Sequence, residues 1–276
     1  MTETVVGVAG CGAMGLPMAE RLRRTGFEVW GFDIRPPAEF GDFADRMVTD
    51  PRCFAAKVDI LLSVVRDAVQ TTDLLLTKQA LLYREKAPGV VAICSTLSPR
   101  YLRDLAQQLP GDVGLMDAPM SGAPYRARSG ELTFMLGGDP ALMRRLHPLF
   151  EAMGREIHHL GPLGHGMTVK VLNNYCAAAS VVATRRVLTL AETLEVDRDR
   201  LLAVMANSSG GNWFADNLHA IDWSGEGYSP HNTIGILEKD VRSVLDAVAD
   251  LPEIGPSGLD AAILEALAAL KPLSRT

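Results

Sequence analysis

The sequence predicts an α/β fold: a doubly wound parallel sheet in the first half, followed by an all-α second domain. Two observations carry this. Short apolar runs rich in Val, Ile and Leu alternate with helical stretches up to about residue 160, the pattern of a parallel sheet covered by helices on both faces. Beyond "GPLGHG" the strand signals stop, and only helical periodicity remains.

"TVVGVAG" (4–10) reads as a buried strand, "LPMAERLRRTG" (16–26) as a helix closed by Gly26, and "FEVWGFD" (27–33) as the next strand. "VDILLSVV" and "GVVAICST" are further strands, each followed by a helical stretch, "DAVQTTDLLL" and "PRYLRDLAQQL". "VGLMDAP" and "ELTFMLGG" continue the strand pattern. Such crossovers are right-handed. Helices fit 167–194, 198–206, 232–249 and 257–270, broken at "NSSGGN", "WSGEGYSP" and "LPEIGPSG". The domain boundary falls near Leu163, giving 1–163 and 164–276.

Composition narrows the function. Hydrophobic residues make up 47% and charged residues 22% of the 276 residues, as in a soluble globular protein. A net charge of −6 gives no reason to expect nucleic acid, whose binders usually carry a basic face. The start "MTETVVGVAGCGAMG" has an acidic residue ahead of its apolar run and glycines within it, unlike a signal peptide. The apolar run 175–183 stops at Thr184 before Arg185-Arg186, too soon to span a bilayer. Cysteines at 11, 53, 94 and 176 form no C-x-x-C pair. A reduced, cytoplasmic setting without a membrane partner is expected.

The first chemical motif is Gly10-Cys11-Gly12-Ala13-Met14-Gly15, placed between the first strand and the first helix. In G-x-G-x-x-G the first glycine makes the tight turn, the second admits a pyrophosphate, and the third lets helix and strand pack closely. The second strand ends at Asp33, near the spacing of a ribose-binding acid. Together these predict a dinucleotide-binding Rossmann domain. Asp33 favours NAD, whose 2′-OH it can accept, without excluding NADP. Arg35 could reach a 2′-phosphate, but next to Pro36-Pro37 it reads better as a solvated surface arginine.

A second motif is "HGMTVKVLNNYC" (165–176), which sets Lys170 and Asn174 four apart on a helix whose other rows, with Val169, Leu172 and Tyr175, look buried. Such a lysine either snorkels to solvent or meets a group that needs an amine.

These motifs occur together in one family. The chain resembles the β-hydroxyacid dehydrogenases, which include 3-hydroxyisobutyrate dehydrogenases and tartronate semialdehyde reductases. "GVAGCGAMGLPMAERL" is similar to that family's cofactor signature and "DAPMSGAPYRARSGELTFMLGG" to its substrate segment. "GPLGHGMTVKVLNN" is similar to its catalytic segment, with Gly161, Gly164, Gly166, Lys170 and Asn174 at the family spacing, and "LEKD" (237–240) to a fourth element.

The resemblance implies an NAD(P)-dependent dehydrogenase of a small 3-hydroxy acid, or the reductase of its semialdehyde. It implies that Lys170 is the general acid/base, its pKa lowered by burial and nearby cations, and that Asn174 binds substrate and steadies the lysine. Ser121, Gly122 and Ala123 would hold the substrate carboxylate, with Ala123 where the family often has glycine. Cys11, Ala13 and Met14 would contact the cofactor with the loop glycines, as would Val64, Val65 and Thr96. Lys239 would reach both cofactor and substrate. Arg66 replaces a common proline and either adds a charge near the pyrophosphate or, the preferred reading, points to solvent; Asn232 stands where an aromatic is common. Asn232 and Arg126 together hint at a polar or additionally anionic substrate. A homodimer or homotetramer is expected by the same resemblance.

Two other readings compete. Imine reductases on this scaffold usually replace the lysine, and non-catalytic relatives lose it, whereas Lys170, Asn174, Ser121 and Lys239 are all present here. His158-His159 and His165 suggest no metal: adjacent histidines on an extended segment face opposite ways and no carboxylate stands at ligand spacing.

Overall fold

A computed structural model describes residues 4–251, 253–255 and 257–273. The chain packs as two compact units, Met1–Lys170 and Val171–Thr276.

The first unit is built on β1 (Val5–Ala9), β2 (Glu28–Phe32), β3 (Met47–Val48), β4 (Ile60–Ser63), β5 (Val90–Ile93) and β6 (Gly114–Asp117). They form one six-stranded sheet in the order β3-β2-β1-β4-β5-β6, and every pair is parallel. The order reverses between β1 and β4, so their carboxyl ends open a crevice, the usual ligand site of such sheets. Side chains alternate across the sheet as a period of two requires. Val6, Val8, Leu62 and Ala92 enter one core, while Ala9, Leu61, Val91 and Ile93 enter the other.

The covering helices are α1 (Gly15–Arg24), α2 (Pro51–Lys57), α3 (Ala68–Leu75), α4 (Pro99–Ala106), α5 (Pro124–Ser129) and α6 (Pro140–Met153). Their starts are fixed locally. The Asp50, Asp67, Ser98 and Asp139 side chains accept first-turn N–H groups, and proline opens α2, α4, α5 and α6. Gly7 leaves room for α2, since a Cβ there would come within 2.7 Å of Phe54.

One expectation needs correcting. "ELTFMLGG" does not extend the parallel sheet. β7 (Met120–Ser121), β8 (Leu132–Leu136) and β9 (Gly154–His159) make a separate sheet, with β7 antiparallel and β9 parallel to β8. Residues 118–131 hold β7 and the six-residue α5, no crossover helix of ordinary length. The chain therefore turns back, and an antiparallel bridge Asp117–Gly137 joins the sheets. The extended reading of His158-His159 holds, since both lie on β9. Helices α2, α5 and α6 go beyond the sequence expectations. α2 and α5 are only seven and six residues long, whereas α6 buries Met143, Leu146, Leu149, Phe150 and Met153 at helical spacing behind an Asp139 cap, a signal the sequence did carry.

The second unit is helical, with α7 (His165–Thr193) running across the division, then α8 (Arg198–Ala206), α9 (Trp213–Asp216), α10 (Thr233–Ala247) and α11 (Gly258–Ala268). Ala178, Val181, Leu188, Phe214, Ile234, Val241, Ile263 and Leu267 form its core. The buried Arg185 donates to the carbonyls of Ser224, Glu226 and Lys271, pinning two irregular segments that lack ladder partners. No helix among the described residues is long and apolar enough to cross a membrane.

Candidate active site

The glycine loop is shaped for an anion. Gly10 has φ +88°, and a Cβ there would lie 2.8 Å from the Val64 carbonyl and 2.9 Å from the Val65 nitrogen. The turn after β4 thus closes directly onto it. A Cβ on Gly15 would collide with the Gly10 carbonyl oxygen. Above Gly12, by contrast, a Cβ would find no atom within 4 Å, and Gly12 and Ala13 are exposed where α1 begins. An open backbone at a helix N-terminus fits a pyrophosphate, so these residues suit a dinucleotide. Met14 is half-buried and takes the N-cap position of α1. Cys11 is buried, donates to the Val8 carbonyl at 3.4 Å, and has its thiol pushed up to about 12, first by burial and then by Asp33. The Cys11 side chain therefore serves packing, which leaves only its main chain for a ligand.

The structure places Asp33 just beyond β2, and it corrects the reading of Arg35. That side chain is not simply solvated. Its Nε and Nη2 donate to the two carboxylate oxygens of Asp33 at 3.1 and 3.2 Å. Nη2 also donates to the Cys11 carbonyl at 2.9 Å, and the guanidinium lies 4.6 Å from the Phe40 ring centroid. Pro36 and Pro37 stiffen the loop but leave Arg35 turned back on the carboxylate, whose side chain is only 10% exposed. The pairing is the bidentate form that a planar guanidinium favours.

At the ends of β4 and β5, Ser95 donates to the Val65 carbonyl at 2.6 Å and so ties the two turns together. Thr96 follows, half-buried, and Arg66 is exposed. Ser121 sits on β7, opposite Thr133. Gly122 has φ +132°, which favours glycine, whereas Ala123 has an unstrained φ of −84° as N-cap of α5. The alanine therefore leaves the turn intact. A Cβ on Gly122 would lie 3.3 Å from Cβ and Cδ of Arg126, so the Arg126 stem lies along this turn.

Lys170 is only 7% exposed, and Asn174 follows one helical turn later on α7. The rest of the helix departs from expectation: Val169 and Leu172 are 39% and 50% exposed, so their row is not covered within the single chain. In the second unit the fully buried Asp240 gathers two predicted residues. It accepts from Asn174 Nδ2 at 2.5 Å, and Lys239 Nζ lies 2.6 Å from its other oxygen. That second approach is an ion pair outside aligned hydrogen-bond geometry. With its amide nitrogen turned to Asp240, Asn174 accepts from Asn173 Nδ2 at 3.2 Å on its Oδ1, which leaves one lone pair for a further donor. Asn232 is fully engaged as the N-cap of α10. Its Oδ1 accepts from Ile234 and Gly235, and its Nδ2 donates to Glu226 and to the Gly227 carbonyl. Its polarity serves the helix, so the hint of a polar substrate loses that residue.

Sequence reading gave no role to Asp117, a buried charge at the end of β6. Its carboxylate accepts from the Gly164 and Met167 N–H groups at 2.8 and 2.6 Å. Burial pushes its carboxyl pKa up, and these N–H groups pull against that shift. The available signal was an aspartate followed by Ala-Pro at a strand end, with three glycines in "GPLGHG" to receive it.

Known proteins complete this picture. A family model described as the NAD binding domain of 6-phosphogluconate dehydrogenase matches residues 5–161. Another, the NAD-binding domain of NADP-dependent 3-hydroxyisobutyrate dehydrogenase, matches residues 164–269. L-threonate dehydrogenase of Escherichia coli K12 is 30% identical over 259 residues, 91% of this chain and 84% of that protein. The NAD-dependent L-serine dehydrogenase of Pseudomonas aeruginosa is 35% identical over 208 residues, 74% of this chain and 70% of that one. A 3-hydroxyisobutyrate dehydrogenase structure from Salmonella typhimurium superposes with a TM-score of 0.80 at 27% identity, covering 96% of this chain and 93% of its own. With the switch-point crevice, the glycine cradle and the buried lysine already in place, these likenesses settle the matter: the chain is an NAD-binding oxidoreductase of the β-hydroxyacid dehydrogenase family.

Proposed function

We propose that this protein interconverts a small 3-hydroxy acid and its carbonyl product with a nicotinamide cofactor, using Lys170 as general acid/base. The observation that carries this reading is a lysine withdrawn from solvent on α7, with Asn174 one turn on. In the oxidative direction Lys170 Nζ takes the hydroxyl proton, and in the reductive direction it returns it. Asn174, oriented by Asp240 and Asn173, offers the remaining lone pair of its Oδ1 to a donor on the substrate. Ser121, Gly122 and Ala123 hold the carboxylate through a hydroxyl and main-chain N–H groups. When bound, the cofactor supplies the hydride acceptor or donor. Gly10, Cys11, Gly12, Ala13, Met14, Gly15, Asp33, Val64, Val65 and Thr96 hold it, and Lys239 contacts both ligands. Residues 1–163 form the dinucleotide-binding domain, and 164–276 the substrate and assembly domain.

The test is nicotinamide absorbance during turnover with 3-hydroxyisobutyrate, glycerate, serine and threonate. Turnover on one of these acids is expected, and silence across this panel and the matching semialdehydes would sink the reading.

NAD is the expected cofactor, with NADP also usable. Asp33 retains lone pairs for a ribose 2′-OH even while paired, and Arg35 stands ready for a 2′-phosphate. Asp33→Ala should weaken NAD, and Arg35→Ala should weaken NADP, each about tenfold, the scale of one lost charged hydrogen bond. Dissociation constants for both cofactors check this; equal losses of both in either variant would contradict it.

Arg126 gives the carboxylate seat a cation. Its stem lies on Gly122, and among the described residues no hydrogen bond or ion pair holds its guanidinium. Arg126→Ala should raise KM for the hydroxy acid about tenfold, the low end for an exposed charged hydrogen bond, and leave kcat nearly unchanged. Steady-state kinetics decide.

The protein works as a homodimer or homotetramer, without nucleic acid or membrane, in the cytoplasm. Leu172, Cys176, Ala183 and Leu190 form an exposed apolar row along α7, continued by Leu194 just past its end, which supports burial against a second copy.

A further inference from the structure

We infer that Asp117 is a positioning residue that sets the spacing between the acid/base amine and the carboxylate seat. This rests on the assignment of Lys170 made above. A helix usually carries its own N-terminal cap: an N-cap side chain accepts the N3 N–H, and an N3 carboxylate reaches back to the N-cap N–H. On α7 the residue before His165 is Gly164, which has no side chain, and its carbonyl takes the first helical bond, from Thr168 at 2.9 Å.

Both halves of the missing cap come from Asp117. One oxygen accepts the Gly164 N–H at 2.8 Å and the other the Met167 N–H at 2.6 Å, across sequence separations of 47 and 50 residues. The socket is cut for that carboxylate. A Cβ on Gly137 would collide with Asp117 Oδ1, and one on Gly166 would collide with the Met135 carbonyl and lie 2.9 Å from Asp117 Oδ2. Asp117 is itself pinned to Gly137 by paired backbone bonds of 3.0 and 2.9 Å.

The position of this cap is what gives it consequence. Lys170 is three residues past Met167 on the same helix. Ser121 and Gly122 follow Asp117 after Ala118, Pro119 and Met120. One buried side chain thus roots the strand end that leads to the substrate seat and the helix turn that leads to the amine. A helix capped by its own residue would hold its shape equally well, yet would not be tied to β6. An ångström of misplacement remote from the chemistry can cost roughly a hundredfold in rate.

Asp117→Asn keeps the shape but turns an amide NH2 toward one of the two N–H donors. Turnover of a 3-hydroxy acid per cofactor-binding site should fall about ten- to a hundredfold, while the dissociation constant for NAD stays within twofold. Lys170→Ala is measured alongside. If it too is fully active, the acid/base assignment has failed; if it is inactive while folded Asp117→Asn keeps wild-type kcat, Asp117 is a structural cap only and the inference is overturned. Should Asp117→Asn not fold, Gly137→Ala displaces the carboxylate from the opposite side and is read the same way. The wild-type protein offers a reading without variants. Amide exchange at Gly164 and Met167 should be as slow as in the sheet core, and rapid exchange there would overturn the cap itself.

Discussion

Lys170→Ala is expected to lower turnover by about 10²–10⁴, the usual share of a general acid/base, while the NAD dissociation constant stays near wild type. Lys170 lies on α7, whereas the cradle is made by the turns after β1 and β4, so the two readouts separate cleanly. Lys170→Arg gives the sharper control. It keeps the positive charge, but a guanidinium does not release its proton in the working pH range. A lysine that merely attracted an anion would tolerate arginine, whereas a lysine that carries a proton would not. Loss of turnover in both variants is the expected result, read by nicotinamide absorbance. Retained activity in Lys170→Ala would remove the mechanism altogether.

Gly15→Ala is expected to cost cofactor binding heavily. The added methyl collides with the Gly10 carbonyl oxygen, a main-chain atom that cannot swing away. Overpacking of this kind costs about 1–3 kcal/mol, equivalent to roughly ten- to a hundredfold in affinity if the loop absorbs the strain. Gly12→Ala supplies the contrast, because in the free protein its methyl meets nothing within 4 Å. That variant should fold with unchanged stability and lose affinity only where the ligand's phosphates approach. Thermal unfolding with and without NAD distinguishes the two: Gly15→Ala lowers both midpoints, whereas Gly12→Ala lowers only the increment gained from NAD.

These two glycines show what sequence could reveal. G-x-G-x-x-G encodes local geometry, and local geometry survives translation from letters to structure. The same holds for β1, β2, β4, β5 and β6, whose apolar runs are long enough to report burial on both faces, and for α8, α10 and α11, bounded by Gly- and Pro-rich breaks. Legibility failed where a residue's partner lies far along the chain. β8 reads like its predecessors, but its place in a second sheet follows from the short path between β6 and β8. Asn232 suggested a pocket because its letter departs from a common aromatic, while its amide is spent on a helix end. Arg35 looked solvated because no linear pattern announces that a side chain will fold back onto the second residue before it. Asp117 was invisible for the strongest form of this reason, with its partners 47 and 50 residues away.

Cys11 carries a consequence for life under oxidants. Peroxides and disulfides react with thiolates rather than thiols, and burial, with its pKa pushed up to about 12, keeps the Cys11 side chain a thiol at neutral pH. Its sulfur is also closed off from solvent. The chain thus places sulfur within its cofactor loop while withholding the reactive form, so oxidants should reach the exposed Cys53 long before the cofactor loop itself.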